Sequence, residues 1–170
     1  MFLLTDGSVD PKSGIGFGVY LAFPNNSESM AKLCGLIKVK RFENTSSTKL
    51  ELQTLLWALS EMTERKVVSY TDSQNIAGLL SRRERLIEND YCSRGGRKIR
   101  NHELYREFFE FIKKFDIQFR LLSGHKPSQE KDRIDEIFSI VDRASRNELR
   151  SYMKDNFQPG KFSRRKKPRG

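Results

Sequence analysis

The sequence predicts an α/β fold in which a mixed sheet is covered by helices. Three strand-like segments open the chain, separated by turn-rich stretches. After them, strands alternate with segments whose apolar residues recur at helical period. The resulting order, βββαβααβα, is that of a mixed sheet with helices packed against it. At 170 residues the chain is long enough for one domain with a real core.

Phe2-Leu3-Leu4-Thr5-Asp6 reads as the first strand, ending on a carboxylate, and Gly7 to Ser13 reads as a turn marked by Pro11. Ile15 to Phe23 is the second strand, broken by Pro24-Asn25-Asn26. A third is expected from about Ala31 to Arg41 on the apolar positions Leu33, Ile37 and Val39, completing an antiparallel meander. Thr45-Ser46-Ser47-Thr48 is an N-cap cluster, and Glu51 stands at capping-box spacing from Thr48. Leu52, Leu55, Leu56 and Leu59 continue as a helix over 48–63, with Trp57 assigned to its core face. Lys66 to Tyr70 is a short strand leading into Asp72, and Ser73 to Arg85 is read as helical. A loop at Cys92 to Lys98 precedes a helix from Asn101 to Phe115. The alternating Ile117 to Leu122 is the last strand, and a final helix runs from about Ser128 towards Met153.

Charge points to the partner. Thirty-two Lys and Arg against twenty-two Asp and Glu give a net charge of +10. Such a balance favours a polyanion. Six cations and no acid fill Lys161 to Gly170, and without those six the net charge falls to +4. Residues 158–170 are therefore read as a basic, disordered tail after a single folded domain spanning 1–157. Seven further cations (Arg82, Arg83, Arg85, Arg94, Arg97, Lys98 and Arg100) lie within 82–100. Two basic runs in a small domain favour nucleic acid. Cys34 and Cys92 make no disulfide framework, and no segment has the length of a signal or a membrane span. A cytoplasmic monomer, away from membranes, is expected.

Asp6, Glu51 and Asp72 occupy informative places. If the first and fourth strands are neighbours, Asp6 and Asp72 share one edge of the sheet, and the start of the first long helix brings Glu51 over it. Clustered carboxylates raise one another's pKa unless a cation neutralises them. Hard oxygen donors suit Mg²⁺ or Mn²⁺, and two such ions about 3.5–4 Å apart promote phosphodiester cleavage. Taken singly, Asp6 has an ordinary reading as a turn residue, Asp72 as a helix cap and Glu51 as the end of a capping box.

The wording around these acids is more specific. Thr5-Asp6-Gly7-Ser8, Leu50-Glu51-Leu52, Thr71-Asp72-Ser73-Gln74 and Gly124-His125 follow one another in this order. The pattern resembles ribonuclease H, type I, over about residues 1–150. That resemblance implies a five-stranded mixed sheet flanked by helices. It also implies metal-dependent hydrolysis of the RNA strand of RNA–DNA hybrids, with two Mg²⁺ (or Mn²⁺) ions per site. Asp6, Glu51 and Asp72 match three of the family's metal-binding acids, and His125 its mobile histidine. His102 matches no catalytic position and is read as a surface residue.

For the fourth acid two candidates stand seven residues apart, about 10 Å along a helix. Spacing from His125 points to Asp135. The wording Val141-Asp142-Arg143-Ala144-Ser145, with a small residue three after the acid, points to Asp142, which is preferred. The resemblance further implies substrate contacts. Ser46, Ser47 and Thr48 take the place of residues that read ribose 2′-hydroxyls, the groups that tell RNA from DNA. Gln74 is added beside Asp72, and Arg97, Lys98, Arg100 and Asn101 belong to a basic protrusion that grips the DNA strand. This copy lacks the tryptophans often found in that protrusion. The rival readings are another nuclease of the same fold or a non-catalytic binder of hybrid or double-stranded RNA. Retention of the acids argues against the binder, since anions clustered beside a polyanion serve no binding purpose.

Overall fold

The computed structural model describes residues 1–24, 27–122 and 128–156. Strands β1 (Phe2–Asp10), β2 (Ile15–Phe23), β3 (Lys38–Phe42), β4 (Lys66–Thr71) and β5 (Asp116–Leu121) form one sheet in the order β3-β2-β1-β4-β5. β1 pairs antiparallel with β2, and β2 with β3; β1–β4 and β4–β5 are parallel. The expected five-stranded mixed sheet is present. Helices α1 (Met30–Gly35), α2 (Ser47–Glu61), α3 (Gln74–Ala77), α4 (Arg83–Glu88), α5 (His102–Phe111) and α6 (Arg133–Asn156) flank it. None of the described helices is long and apolar enough to cross a membrane.

Strand alternation sends side chains into two cores. On one face Leu3, Tyr20 and Ala22 join Leu52, Leu55 and Leu59 of α2 and Phe108 and Phe109 of α5; Trp57 is partly buried against this cluster. On the other, Leu4, Val19, Leu21 and Phe23 meet Leu33 of α1 and Ile134, Ile137 and Val141 of α6. Asp6 and Ser8 continue the Leu4 face, so the alternation itself aims them towards α6.

Four expected boundaries are corrected. β1 does not end at Asp6, because its ladder with β2 continues to the Asp10–Ile15 pair and absorbs the stretch read as a turn. The true turn is shorter, closed by Gly14 (φ +68°) and by Ser13 N donating to Asp10 Oδ2 at 2.8 Å. The segment read as the start of the third strand is α1, capped by Ser29 accepting from Lys32 N and buried through Leu33; β3 begins only at Lys38. Ser46, not Thr48, is the N-cap of α2, so the capping box at Thr48 does not form. Ser73 to Arg85 is not one helix. α3 stops at Gly78, and Arg82 donates to the Gly78 and Asn75 carbonyls, folding a 3-10 turn between α3 and α4.

α2 lies close on the sheet because glycines are beneath it. A methyl on Gly7 would stand 2.8 Å from Leu50, and one on Gly16 2.7 Å. At Gly18 it would meet the Phe42 ring at 2.9 Å and Thr54 Cβ at 3.0 Å. Gly18→Ala is expected to destabilise the fold by about 1–3 kcal/mol through overpacking, read from the urea midpoint. An unchanged midpoint would show that α2 is not seated by this contact.

Candidate active site

The parallel register between β1 and β4 pairs Leu3 with Ser69 and Leu4 with Tyr70. Asp6 lies two residues beyond Leu4, and Asp72 two beyond Tyr70. The two acids therefore leave the sheet at the same level, where β4 has ended while β1 runs on beside β2. Glu51 comes down from α2 in the turn after Leu50, which is anchored over Gly7 and Gly16. Asp142 comes from α6 on the opposite side, one residue after the buried Val141.

Four carboxylates from four elements thus share one electrostatic neighbourhood. Burial pushes the Asp6 carboxyl above the usual range, the charges of Asp72 and Asp142 push it further, and hydrogen bonds from Ser145 and the Gly7 backbone oppose the rise. Glu51 is raised for the same first reason, burial, then by Asp72 and Asp6; Ser73 and Ser47 counteract. The hydrogen bonds from Ser73 and Ser145 are short. Ser73 Oγ donates to Glu51 Oε2 at 2.7 Å while accepting from Ile76 N as the cap of α3. Ser145 Oγ donates to Asp6 Oδ2 at 2.5 Å. Arg146 Nη2 pairs with Asp142 Oδ1 at 2.5 Å, one turn along α6.

Asp135 is placed differently. It is 7% exposed and closes a capping box at the start of α6: its N–H donates to Asp132 Oδ1 at 2.9 Å, and Asp132 N donates to Asp135 Oδ2 at 3.1 Å. The capping box expected on α2 is found here instead. Of the two acids on α6, Asp142 is the one whose charge acts on Asp6.

Among the described residues no group of three or more His, Cys, Asp and Glu side chains forms a ready-made metal cage. That is compatible with a magnesium-type ion, which keeps several waters and takes only one or two carboxylates together with substrate phosphate. The donor set fits such ions: hard oxygens, mutually repelling, with the Asp6 and Glu51 carboxyls raised first by burial and then by their acidic neighbours.

The expected substrate contacts are mostly exposed. Ser47 and Thr48 face solvent, Ser46 is half-buried, and the Ser46 side chain makes no capping hydrogen bond to α2. Gln74, Arg97 and Arg100 are exposed. Lys98 is also exposed but is engaged at 2.5 Å by the Asp90 carboxylate, and Arg82 is bound to Asn75 and Gly78. These two cations stabilise the 82–100 segment itself. Asn101 caps α5 in a left-handed conformation (φ 61°). With Lys49, His102, Glu103, Leu104 and Glu107 it lines a depression of about 380 Å³ between the starts of α2 and α5. His102 is half-buried there. His125 and the basic tail lie outside the described residues.

Sequence reasoning missed the serines that hold the acids. Ser73 and Ser8 were visible only as parts of motifs, and Ser145 only as a small residue. A hydroxyl at a position chosen for smallness on a buried helix face was the available signal.

The chain was compared with known proteins. A ribonuclease H family model matches residues 1–141, a span that includes Asp6, Glu51 and Asp72 and stops one residue short of Asp142. Among similar proteins is a ribonuclease H of Caldicellulosiruptor saccharolyticus, 28% identical over 98 residues, covering 56% of this chain and 68% of the relative. A ribonuclease HI of Haemophilus influenzae is 24% identical, covering 79% of this chain and 84% of its own. A ribonuclease H of Hahella chejuensis is 26% identical, covering 81% and 90%. With the sheet order, the carboxylates and a family match over most of its length all in agreement, the chain belongs to the ribonuclease H family.

Proposed function

We propose that this chain hydrolyses the RNA strand of RNA–DNA hybrids, using two divalent cations held by Asp6, Glu51, Asp72 and Asp142. The observation that supports this reading is the mutual electrostatic action of acids delivered by β1, α2, α6 and the end of β4. A basic domain gains nothing structural from gathering like charges in a partly desolvated crevice. When bound, the cations would activate a water and stabilise the leaving oxygen. The chain's own residues supply the rest. Asp6 and Glu51 are held in place by Ser145 and Ser73, while Asp72, exposed at the end of β4, remains accessible to an incoming phosphate.

Recognition is assigned to groups around this crevice. Ser46, Ser47 and Thr48 offer hydroxyls to ribose 2′-OH groups at the start of α2, with Gln74 exposed at the start of α3. Asn101 and Lys49, across the depression between α2 and α5, suit a backbone phosphate. Arg97 and Arg100, not spent on internal ion pairs among the described contacts, extend the cationic surface towards the DNA strand, and phosphate contacts of this kind position without specifying. The direct test is cleavage of labelled hybrid, duplex DNA and duplex RNA with and without Mg²⁺. Only hybrid with Mg²⁺ is expected to be cut, in its RNA strand.

Two mutational outcomes follow. Asp6→Asn and Asp72→Asn are expected to lower turnover by orders of magnitude while hybrid binding persists through phosphate contacts. Asp6→Asn also removes a desolvated, repelled charge while keeping an acceptor for Ser145. Its metal-free Tm is expected to rise by about 2–4 °C, the equivalent of roughly 1 kcal/mol in a domain this size. Near-normal turnover would refute the assignment, and a large fall in Tm would refute the electrostatic account.

Asp142→Asn is expected to be nearly inactive. Asp135→Asn should keep most activity but lose about 1 kcal/mol of stability by weakening the cap of α6. Activity and urea midpoints of both variants check this, and the opposite pattern would return the fourth acid to Asp135.

A further inference from the structure

Ser145 is fully buried (0% exposed) on α6, three residues after Asp142. Its hydroxyl oxygen has three neighbours: Asp6 Oδ2 at 2.5 Å, Ser8 Oγ at 3.0 Å and the Asp142 carbonyl at 3.0 Å. A hydroxyl carries one proton, whereas an ionised carboxylate only accepts. The carboxylate is also the stronger acceptor, since its bond is charge-assisted. The Ser145 proton therefore lies on the Asp6 contact, and Ser8 donates to Ser145 Oγ. The result is a directed chain, Ser8 to Ser145 to Asp6. Both ends stand on β1, two residues apart and hence on one face of the strand, with the middle member on α6.

We infer that Ser145, supported by Ser8, is a positioning residue that fixes the Asp6 carboxylate for cation binding and sets the axial position of α6, so that Asp142 stands beside it. This inference rests on the reading of Asp6 as a metal ligand. The geometry carries more than packing. An alanine would fill the same helical position with better propensity and no polar atom to satisfy. The hydroxyl has a use there because it bridges the strand that carries one acid and the helix that carries another. A carboxylate offers about four lone-pair sites, so binding Ser145 leaves Asp6 with capacity for a cation. Outer hydrogen-bond partners of metal ligands typically change affinity by about 10- to 100-fold when removed.

The experiment is calorimetric titration of Mn²⁺ into the metal-free wild type, Ser145→Ala, Ser8→Ala and Asp6→Asn, with Tm measured alongside. Ser145→Ala is expected to bind Mn²⁺ about 10-fold more weakly at temperatures where it is fully folded, whatever its fall in Tm, with hybrid cleavage recovering as Mg²⁺ is raised. Ser8→Ala, which leaves the Ser145 hydroxyl in place, should weaken binding by less than the loss of Ser145 does, and it decides the matter if Ser145→Ala fails to fold. Mn²⁺ affinity unchanged in both serine variants, with or without a lower Tm, would make the serines structural and overturn the inference. Asp6→Asn separates the two levels. If it binds Mn²⁺ as wild type does, the ligand reading itself falls and this inference with it. If it loses binding while the serine variants keep theirs, only the inference falls.

Discussion

The site depends on one asymmetry in the sheet. β1 is paired on both edges only as far as Leu4; beyond it β4 departs, while β2 accompanies β1 to Asp10. The crevice so opened has Asp6 on its floor, Asp72 on its rim and no backbone partner required on that side. Parallel sheets commonly place ligands beyond the carboxyl ends of their strands. Here a single parallel pair suffices, because the antiparallel ladder keeps β1 rigid past the point where the other strand ends.

The helices complete the crevice from both faces. α2 comes close enough to deliver Glu51 because Gly7, Gly16 and Gly18 leave no side chain beneath it. α6 is oriented by Ile134, Ile137 and Val141 in the second core, and by Tyr152 against Phe17 further along. Hydrophobic packing thus determines the positions of charges that repel one another. The fold holds the carboxylates in place at a cost to its own stability, and a cation would relieve it.

Much of this was legible in the sequence. Strand alternation and helical period gave the order of elements, and the carboxylate motifs singled out Asp6, Glu51 and Asp72, three acids whose charges act on one another in the structure. Failures came where tertiary contacts override local pattern. Leu33, Ile37 and Val39 fit strand spacing, but Ser29 caps α1 and Leu33 is buried in a helical turn. Asp6 reads as a strand end because Gly7 and Ser8 are turn residues by composition, yet pairing with β2 extends the strand through them. Asp135 and Asp142 differ in which acid caps α6 and which acts on Asp6 through its charge. Sequence spacing does not contain that distinction; the hydrogen bonds of Asp132 and Ser145 do.

The central claim is that the fold collects repelling carboxylates in a crevice that a divalent cation stabilises. Urea unfolding of the wild type with increasing Mg²⁺, against NaCl at matched ionic strength, tests this without reference to turnover. Folding stability is predicted to rise with Mg²⁺ as RT ln(1 + [Mg²⁺]/Kd), beyond the effect of NaCl. Identical unfolding curves in the two salts would contradict the account.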